Sequence, residues 1–261
     1  MINFIKKRRL WYAFSILVIG TGFLFMVKNF AAMNHVFNLG IDFTGGTSIT
    51  IRFDESIEGL EQRLRQVLNT AQLEKHTIQR SGDYDVVIKT EEMGPALRKT
   101  LFDAIQTKIA SFEVMEVDII GPSIGAELKK VSLIIVLAVT IAILLYCSWR
   151  FEFTFGFASI VALLHDALIL LSVTAILQLE MNTAYVAALL TVLGYSINDT
   201  IVIFDRIREN MKTRKQNPVA STVNKSINES LGRTIVTSLT TLMVVITLYI
   251  FGGEVIHYFS F

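Results

Sequence analysis

Five stretches of this chain are almost wholly apolar: about Leu10–Val27, Val131–Trp149, Phe153–Leu177, Ala184–Phe204 and Thr234–Phe251. About 20 such residues, rising about 1.5 Å each as a helix, cover the roughly 30 Å hydrocarbon core of a bilayer. The pattern therefore predicts five membrane-spanning helices. The first follows Lys6-Lys7-Arg8-Arg9 and resembles a signal peptide in that respect. However, Val27-Lys28-Asn29-Phe30 offers no small-x-small cleavage site, so a retained anchor is expected.

A polar stretch, roughly Val36–Gly125, separates the first two spans and has other periods. Thr47–Asp54 alternates like a half-buried strand, and Ile57–Leu68 repeats apolar residues at helical spacing. Thr77-Ile78-Gln79 and Tyr84–Lys89 flank Ser81-Gly82-Asp83 as a hairpin. Pro95–Ile109 reads as a second helix with Pro95 in its first turn, and Phe112–Ile120 as a last strand. The order strand, helix, strand, strand, helix, strand predicts a split βαβ sandwich of ferredoxin-like type, a fold that names no ligand by itself.

Basic residues collect on the cytoplasmic side of short loops. Lys6–Arg9 thus places the N-terminus inside, and alternation puts Ser148-Trp149-Arg150 and the basic connection Arg206–Asn217 inside as well. Gln178–Asn182, without lysine or arginine, falls outside. Lys129-Lys130 on the outer flank is read as snorkelling side chains. The fold class expected is an α-helical polytopic membrane protein with a small α+β ferredoxin-like extracytoplasmic domain. Its parts are residues 1–35 (cytoplasmic tail and first transmembrane helix), 36–125 (the domain) and 126–261 (transmembrane helices two to five and the start of a sixth). Asn217-Pro218 marks a turn before a short amphipathic surface helix, Val219–Leu231, leading into the fifth span.

Composition narrows the class further. With 261 residues, 52% of them hydrophobic, and a mean hydropathy of +0.52, the chain is too apolar for an ordinary soluble domain. The net charge of +1 leaves no face-sized basic surface once the short basic clusters are assigned to membrane flanks, which argues against nucleic acid as a partner. The single cysteine, Cys147, can form no internal disulfide. Gly45-Gly46 suggests a phosphate loop, but no G-x-x-x-x-G-K-[ST] occurs, so nucleotide hydrolysis is not expected. The preferred reading is a pair of glycines that permits a tight approach where the chain enters the first strand. His35, His76 and His257 lack ligand-spaced companions, so neither a metal nor a cofactor is expected.

The candidate chemistry lies in the spans. Asp199 sits deep in the apolar run Tyr185–Asp205, where a carboxylate costs several kcal/mol by any scale, from about 3 upward, and is functional by default. On a helix, Val192, Ser196, Asp199, Val202 and Arg206 share a face, whereas Asn198 points about a quarter turn away. In the antiparallel fifth span Arg233, Thr237 and Thr240-Thr241 form a polar stripe, and Arg233 enters at a depth from which it reaches Asp199. Two readings fit the pair: a functional carboxylate with its counter-charge, or an ion pair that only locks two helices. His165-Asp166 makes a second polar centre near the middle of the third span, flanked by Ser159 and Ser172. It suits a relay and a packing hydrogen bond equally.

Three motifs then carry a resemblance. Gly40–Thr50 after the first span, Val117–Ala126 before the second and Leu193–Met211 through the fourth resemble the SecF family, the smaller partners in SecD–SecF protein-export complexes of the RND superfamily. The resemblance covers nearly the whole chain. It implies an inner-membrane subunit, not an enzyme, that works with SecD and uses proton-motive force to promote export of unfolded preproteins through SecYEG, with YidC as a further partner. It also implies that Asp199 and Arg233 take part in proton transport; Ser196, Asn198, Thr237, His165 and Asp166 are expected beside them as supporting polar groups from their positions on the helices alone. Family members continue through a sixth span, whereas this chain ends at Phe261, so the sequence is either truncated or unusual. Two competing readings are an RND-type proton-coupled lipid or small-molecule transporter subunit and a purely structural subunit.

Overall fold

The computed structural model describes residues 2–55, 59–71, 73, 76–81, 83–214, 216–252 and 259–260. In chain order these form α1 (Arg8–Met33), α2 (Ile41–Thr44), β1 (Gly46–Phe53), α3 (Leu60–Thr70), β2 (His76–Ser81), β3 (Asp85–Thr90), α4 (Pro95–Lys108) and β4 (Phe112–Ile120). The long helices α5 (Pro122–Arg150), α6 (Phe153–Leu177), α7 (Thr183–Lys212) and α8 (Val219–Phe251) follow. Two compact units result: residues 39–133, and residues 1–38 with 134–261.

In the smaller unit the strands form one antiparallel sheet in the order β2-β3-β1-β4. That is the ferredoxin-like arrangement expected from the order of elements. α3 contributes Leu60, Leu64, Val67 and Leu68 at the spacing of one helical stripe, and α4 contributes Leu101 and Ile105. They bury Ile49, Ile51, Phe53, Ile78, Val86 and Ile88 of the sheet in a single core. α4 begins as expected, with Gly94 as N-cap and Pro95 at the first position. The start of the expected Ile57–Leu68 helix and Gly82 of the hairpin lie outside the described residues. On the other sheet face, Arg52 forks onto Asp85 at 2.6 and 2.7 Å. The hydrogen-bonded carboxylate raises the guanidinium pKa above its ordinary value, but at an exposed site the pair adds little stability.

The glycine pair does what its sequence suggests. Gly45 and Gly46 adopt φ of +73° and +137°, conformations that side chains disfavour. A Cβ on Gly45 would come within 2.8 Å of the Pro122 Cα, and one on Gly125 within 2.8 Å of the Gly45 nitrogen. A Cβ on Gly46 would collide with the Thr90 carbonyl oxygen. The two glycine-containing motifs, Gly40–Thr50 and Val117–Ala126, are thus interlocked at backbone distance.

In the larger unit, α1, α5, α6, α7 and α8 are each long and apolar enough to cross a membrane. α1 lies along α6, and Gly22 makes this possible: a Cβ there would overlap the Ser172 side chain. Near the far end of α1, Asn29 donates from Nδ2 to the Ala175 carbonyl at 3.1 Å. α6 and α7 share a core of Leu163, Leu189, Leu193 and Ile197 with Cys147 of α5, and the Thr174 and Tyr185 hydroxyls meet at 2.7 Å. Asn182 caps α7 by accepting from the Tyr185 backbone N–H.

Two helices run further than the sequence suggests. α7 continues to Lys212 through part of the expected Arg206–Asn217 connection. α8 is one helix of 33 residues instead of a surface helix followed by a span. A lone Gly232 does not interrupt a helix, and serine and threonine hydroxyls along α8 bond back to its own carbonyls. The expected start of a sixth helix falls almost wholly outside the described residues.

Candidate functional site

The basic flanks gather at one end of the helices. Arg150, ending α5, binds Asp205 of α7 at 2.9 Å, while Phe151 and Phe155 pack edge-on or tilted against Phe204. Arg206 bridges Glu209 at 2.5 Å and Glu229 of α8 at 2.7 Å, and Asn210 donates both to that Glu229 carboxylate and to the Ser226 hydroxyl. The segment before α1 closes the same end. Asn224 Oδ1 accepts from the backbone N–H of Phe4 at 2.8 Å, and Asn228 Oδ1 from that of Ile2 at 2.8 Å. Both carboxamides also donate to the Ile2 carbonyl. Two asparagines four residues apart on one helix face thus strap the N-terminal backbone to α8.

Inward from this end the polar groups thin out. α6, α7 and α8 carry five carboxylates: Asp166, Asp199, Asp205, Glu209 and Glu229. Among the described residues, four of these are held by hydrogen bonds or ion pairs. Asp199 has none. Its charged neighbour is Arg233 of α8, whose electrostatic field reaches it without a direct ion pair. Direct contact between the Arg233 guanidinium and Asp199 is the expectation from sequence. The structure does not show it, and the Arg233 side chain lies exposed on the helix surface.

The remaining site residues are placed as follows. Ser196 turns its hydroxyl to the Asp166 carboxylate across the α6–α7 contact. His165 Nδ1 lies 2.7 Å from the other Asp166 oxygen. Asn198 is exposed. The Thr237 hydroxyl is occupied within α8, on the carbonyls of Arg233 and Thr234. Among the described residues no group of three His, Cys, Asp or Glu side chains is placed to hold a metal. His76 instead bonds the Leu73 carbonyl at 2.7 Å, and His257 lies outside the described residues. The strap residues Asn224 and Asn228, and the Arg206–Asn210–Glu229 cluster, escape a reading of the sequence. Their i, i+4 spacing on one polar face is the only sign of them there.

Comparison with known proteins gives this arrangement its class. The family described as protein export membrane protein SecD/SecF, C-terminal, matches residues 100–261, and the SecD/SecF GG motif matches residues 33–57. The protein translocase subunit SecF of Thermodesulfovibrio yellowstonii is 39% identical over 264 residues, covering 99% of this chain and 86% of that one. That of Haemophilus influenzae is 36% identical over 263 residues, covering 100% and 78%. The crystal structure of SecDF, a translocon-associated membrane protein from Thermus thermophilus, superposes with a TM-score of 0.86 at 35% identity. It covers 99% of this chain, which spans 35% of the SecDF chain. SecDF in a super-membrane-facing form gives 0.66 at 36% identity. Helices, domain and matches together define a multi-pass membrane protein of the export machinery. The chain belongs to the SecF family of protein translocase subunits. Its motif Gly45-Gly46 is the interlocked pair described above.

Proposed function

We propose that this chain works with a SecD partner in the cytoplasmic membrane, where proton entry through its helices drives movements that promote export of unfolded preproteins through SecYEG. The N-terminus and the basic end of the helices face the cytoplasm, and residues 36–125 face outward. Gathering Lys6–Arg9, Arg150 and Arg206–Lys212 at one end supports that orientation. Asp199 is the proton carrier and Arg233 its counter-charge. The observation that carries this reading is the isolation of Asp199: of five carboxylates on three packed helices, it alone has no hydrogen bond or ion pair among the described residues. One proton crossing 100 mV supplies about 2.3 kcal/mol, enough to bias a two-state rearrangement and too little to move a chain in one step. The cycle therefore repeats.

The test is preprotein export into membrane vesicles with and without a proton gradient. Asp199→Asn, which keeps volume and hydrogen bonding but cannot cycle a proton, is expected to remove the gradient's contribution while the complex assembles at its usual level. A collapse in the amount of complex would instead mark Asp199 as a structural residue that holds the helices together.

A further inference from the structure

Asp166 has both carboxylate oxygens engaged, and from two different helices. His165 Nδ1 lies 2.7 Å from Oδ1, and the Ser196 hydroxyl of α7 donates to Oδ2. The sequence of groups is imidazole N–H, carboxylate, hydroxyl: each neighbour of the carboxylate is a donor, and each can exchange a proton with it without a change of backbone. Because Nδ1 faces the carboxylate it holds the proton, so the Nε2 edge of the ring is the open one. The His165 side chain keeps 41% exposure, and residue 165 stands midway along α6. At the other end, Ser196 precedes Asp199 by three residues on α7, about 4.5 Å of rise and less than one turn, so both stand on the same side of the helix.

The surroundings leave this chain of groups a single ionisable destination. Along α6, α1 carries no ionisable side chain between Tyr12 and Lys28, and α5 carries none between Lys130 and Tyr146. On α7 and α8 the ionisable groups inside the basic end are Asp199 and Arg233, with Tyr185 and Tyr195 toward the other end of α7 and Tyr249 toward that of α8. A pair that served packing alone would need one hydrogen bond between α6 and α7. It would not need an imidazole on the second carboxylate oxygen.

Resting on the assignment of Asp199 as carrier, we propose that His165, Asp166 and Ser196 form a proton relay that exchanges protons with Asp199, with His165 as the outer terminus and Ser196 as the step from α6 to α7. A proton taken up at Nε2 is matched by the Nδ1 proton passing to Asp166. The neutral Asp166 carboxyl group then turns so that its O–H faces Ser196, whose own hydroxyl hydrogen swings toward Asp199; Asp166 gives its proton to the Ser196 oxygen as the Ser196 hydroxyl proton passes to Asp199. The serine is unchanged by the exchange, one proton leaves Asp166 and one arrives at Asp199. The Nδ1–H form is restored when Nδ1 takes up a proton from water and Nε2 releases its own, an exchange that leaves the total unchanged.

The test uses the chain assembled with its SecD partner in membrane vesicles, reading gradient-driven export, export without a gradient, the solvent deuterium isotope effect and the level of complex. Ser196→Ala and His165→Gln are expected to slow the gradient-driven component about ten-fold or more and to raise its isotope effect. Complex level and gradient-independent export should stay at wild-type values. Ser196→Thr, which keeps the hydroxyl, should restore most of the rate, and adding Ser196→Ala to Asp199→Asn should change nothing further. If Asp199→Asn abolishes the gradient's effect while Ser196→Ala and His165→Gln behave as wild type, the relay is rejected and the carrier stands. If Asp199→Asn keeps the gradient's effect, the carrier falls and the relay loses its destination. A loss in Ser196→Ala that tracks a fall in complex level would also overturn the relay, because it would mark a packing contact.

Discussion

Gly45 and Pro122 touch backbone to backbone: the space where a Cβ would stand on the glycine is only 2.8 Å from the Pro122 Cα. The φ of +73° at Gly45 adds a conformational cost for any side chain. Gly45→Ala is therefore expected to destabilise the purified chain by about 2 kcal/mol or more. Gly94→Ala, where a Cβ meets nothing within 4 Å, should be close to neutral. Thermal unfolding of both variants in detergent checks this, and equal midpoints would show that the interlock contributes nothing.

The helix pair α1–α6 depends on a second close approach. A methyl group on Gly22 would overlap both the side chain and the Cα of Ser172. Gly22→Ala should lower thermal stability, and Gly22→Val should lower it further. Ser172→Ala should rescue Gly22→Ala poorly, because the Cα stays in place. Full rescue would show that the serine hydroxyl, and not the helix backbone, sets the distance.

Much of this was legible in the pattern of residues. The order of strands and helices in the smaller unit follows from two clear periods, since Leu60, Leu64, Val67 and Leu68 can share a buried face only on a helix. Asp199 stands out because an acid in an apolar run is costly in sequence as in structure. What local sequence cannot reveal is partnership. Asn224 lies 220 residues from Phe4, whose N–H it binds, and no local signal links them. That Asp199 is unbonded and Asp166 doubly bonded depends on how α6 packs on α7. The continuity of α8 was hidden because Asn217-Pro218 followed by polar residues looks the same before a surface helix and before a long span that begins with a polar end.

The N-terminal strap can be tested directly. Asn224→Leu leaves the Phe4 and Ile5 N–H groups to water and should cost about 1 kcal/mol. In a chain with Cys147→Ser, cysteines at Phe4 and Asn224 should cross-link on mild oxidation in membranes. Absence of the cross-link, with a control pair on α7 and α8 forming, would show that the segment does not lie on α8.

The smaller unit should fold alone. A fragment of residues 36–125 is expected to unfold cooperatively in urea, and Leu64→Ala, at 0% exposure in the core, should cost about 2–5 kcal/mol. A non-cooperative transition would mean that the core is completed by the membrane helices or a partner.

The central claim is that Asp199 carries the proton, and the most direct measurement is proton entry into vesicles holding the chain with its SecD partner, driven by an imposed gradient. Wild type is expected to discharge the gradient, Asp199→Glu to do so more slowly because it keeps a titratable group at a shifted position, and Asp199→Asn not to do so above empty vesicles. Asp205→Asn, which alters a carboxylate already paired with Arg150, should retain entry. Entry at the wild-type rate through Asp199→Asn would contradict the account.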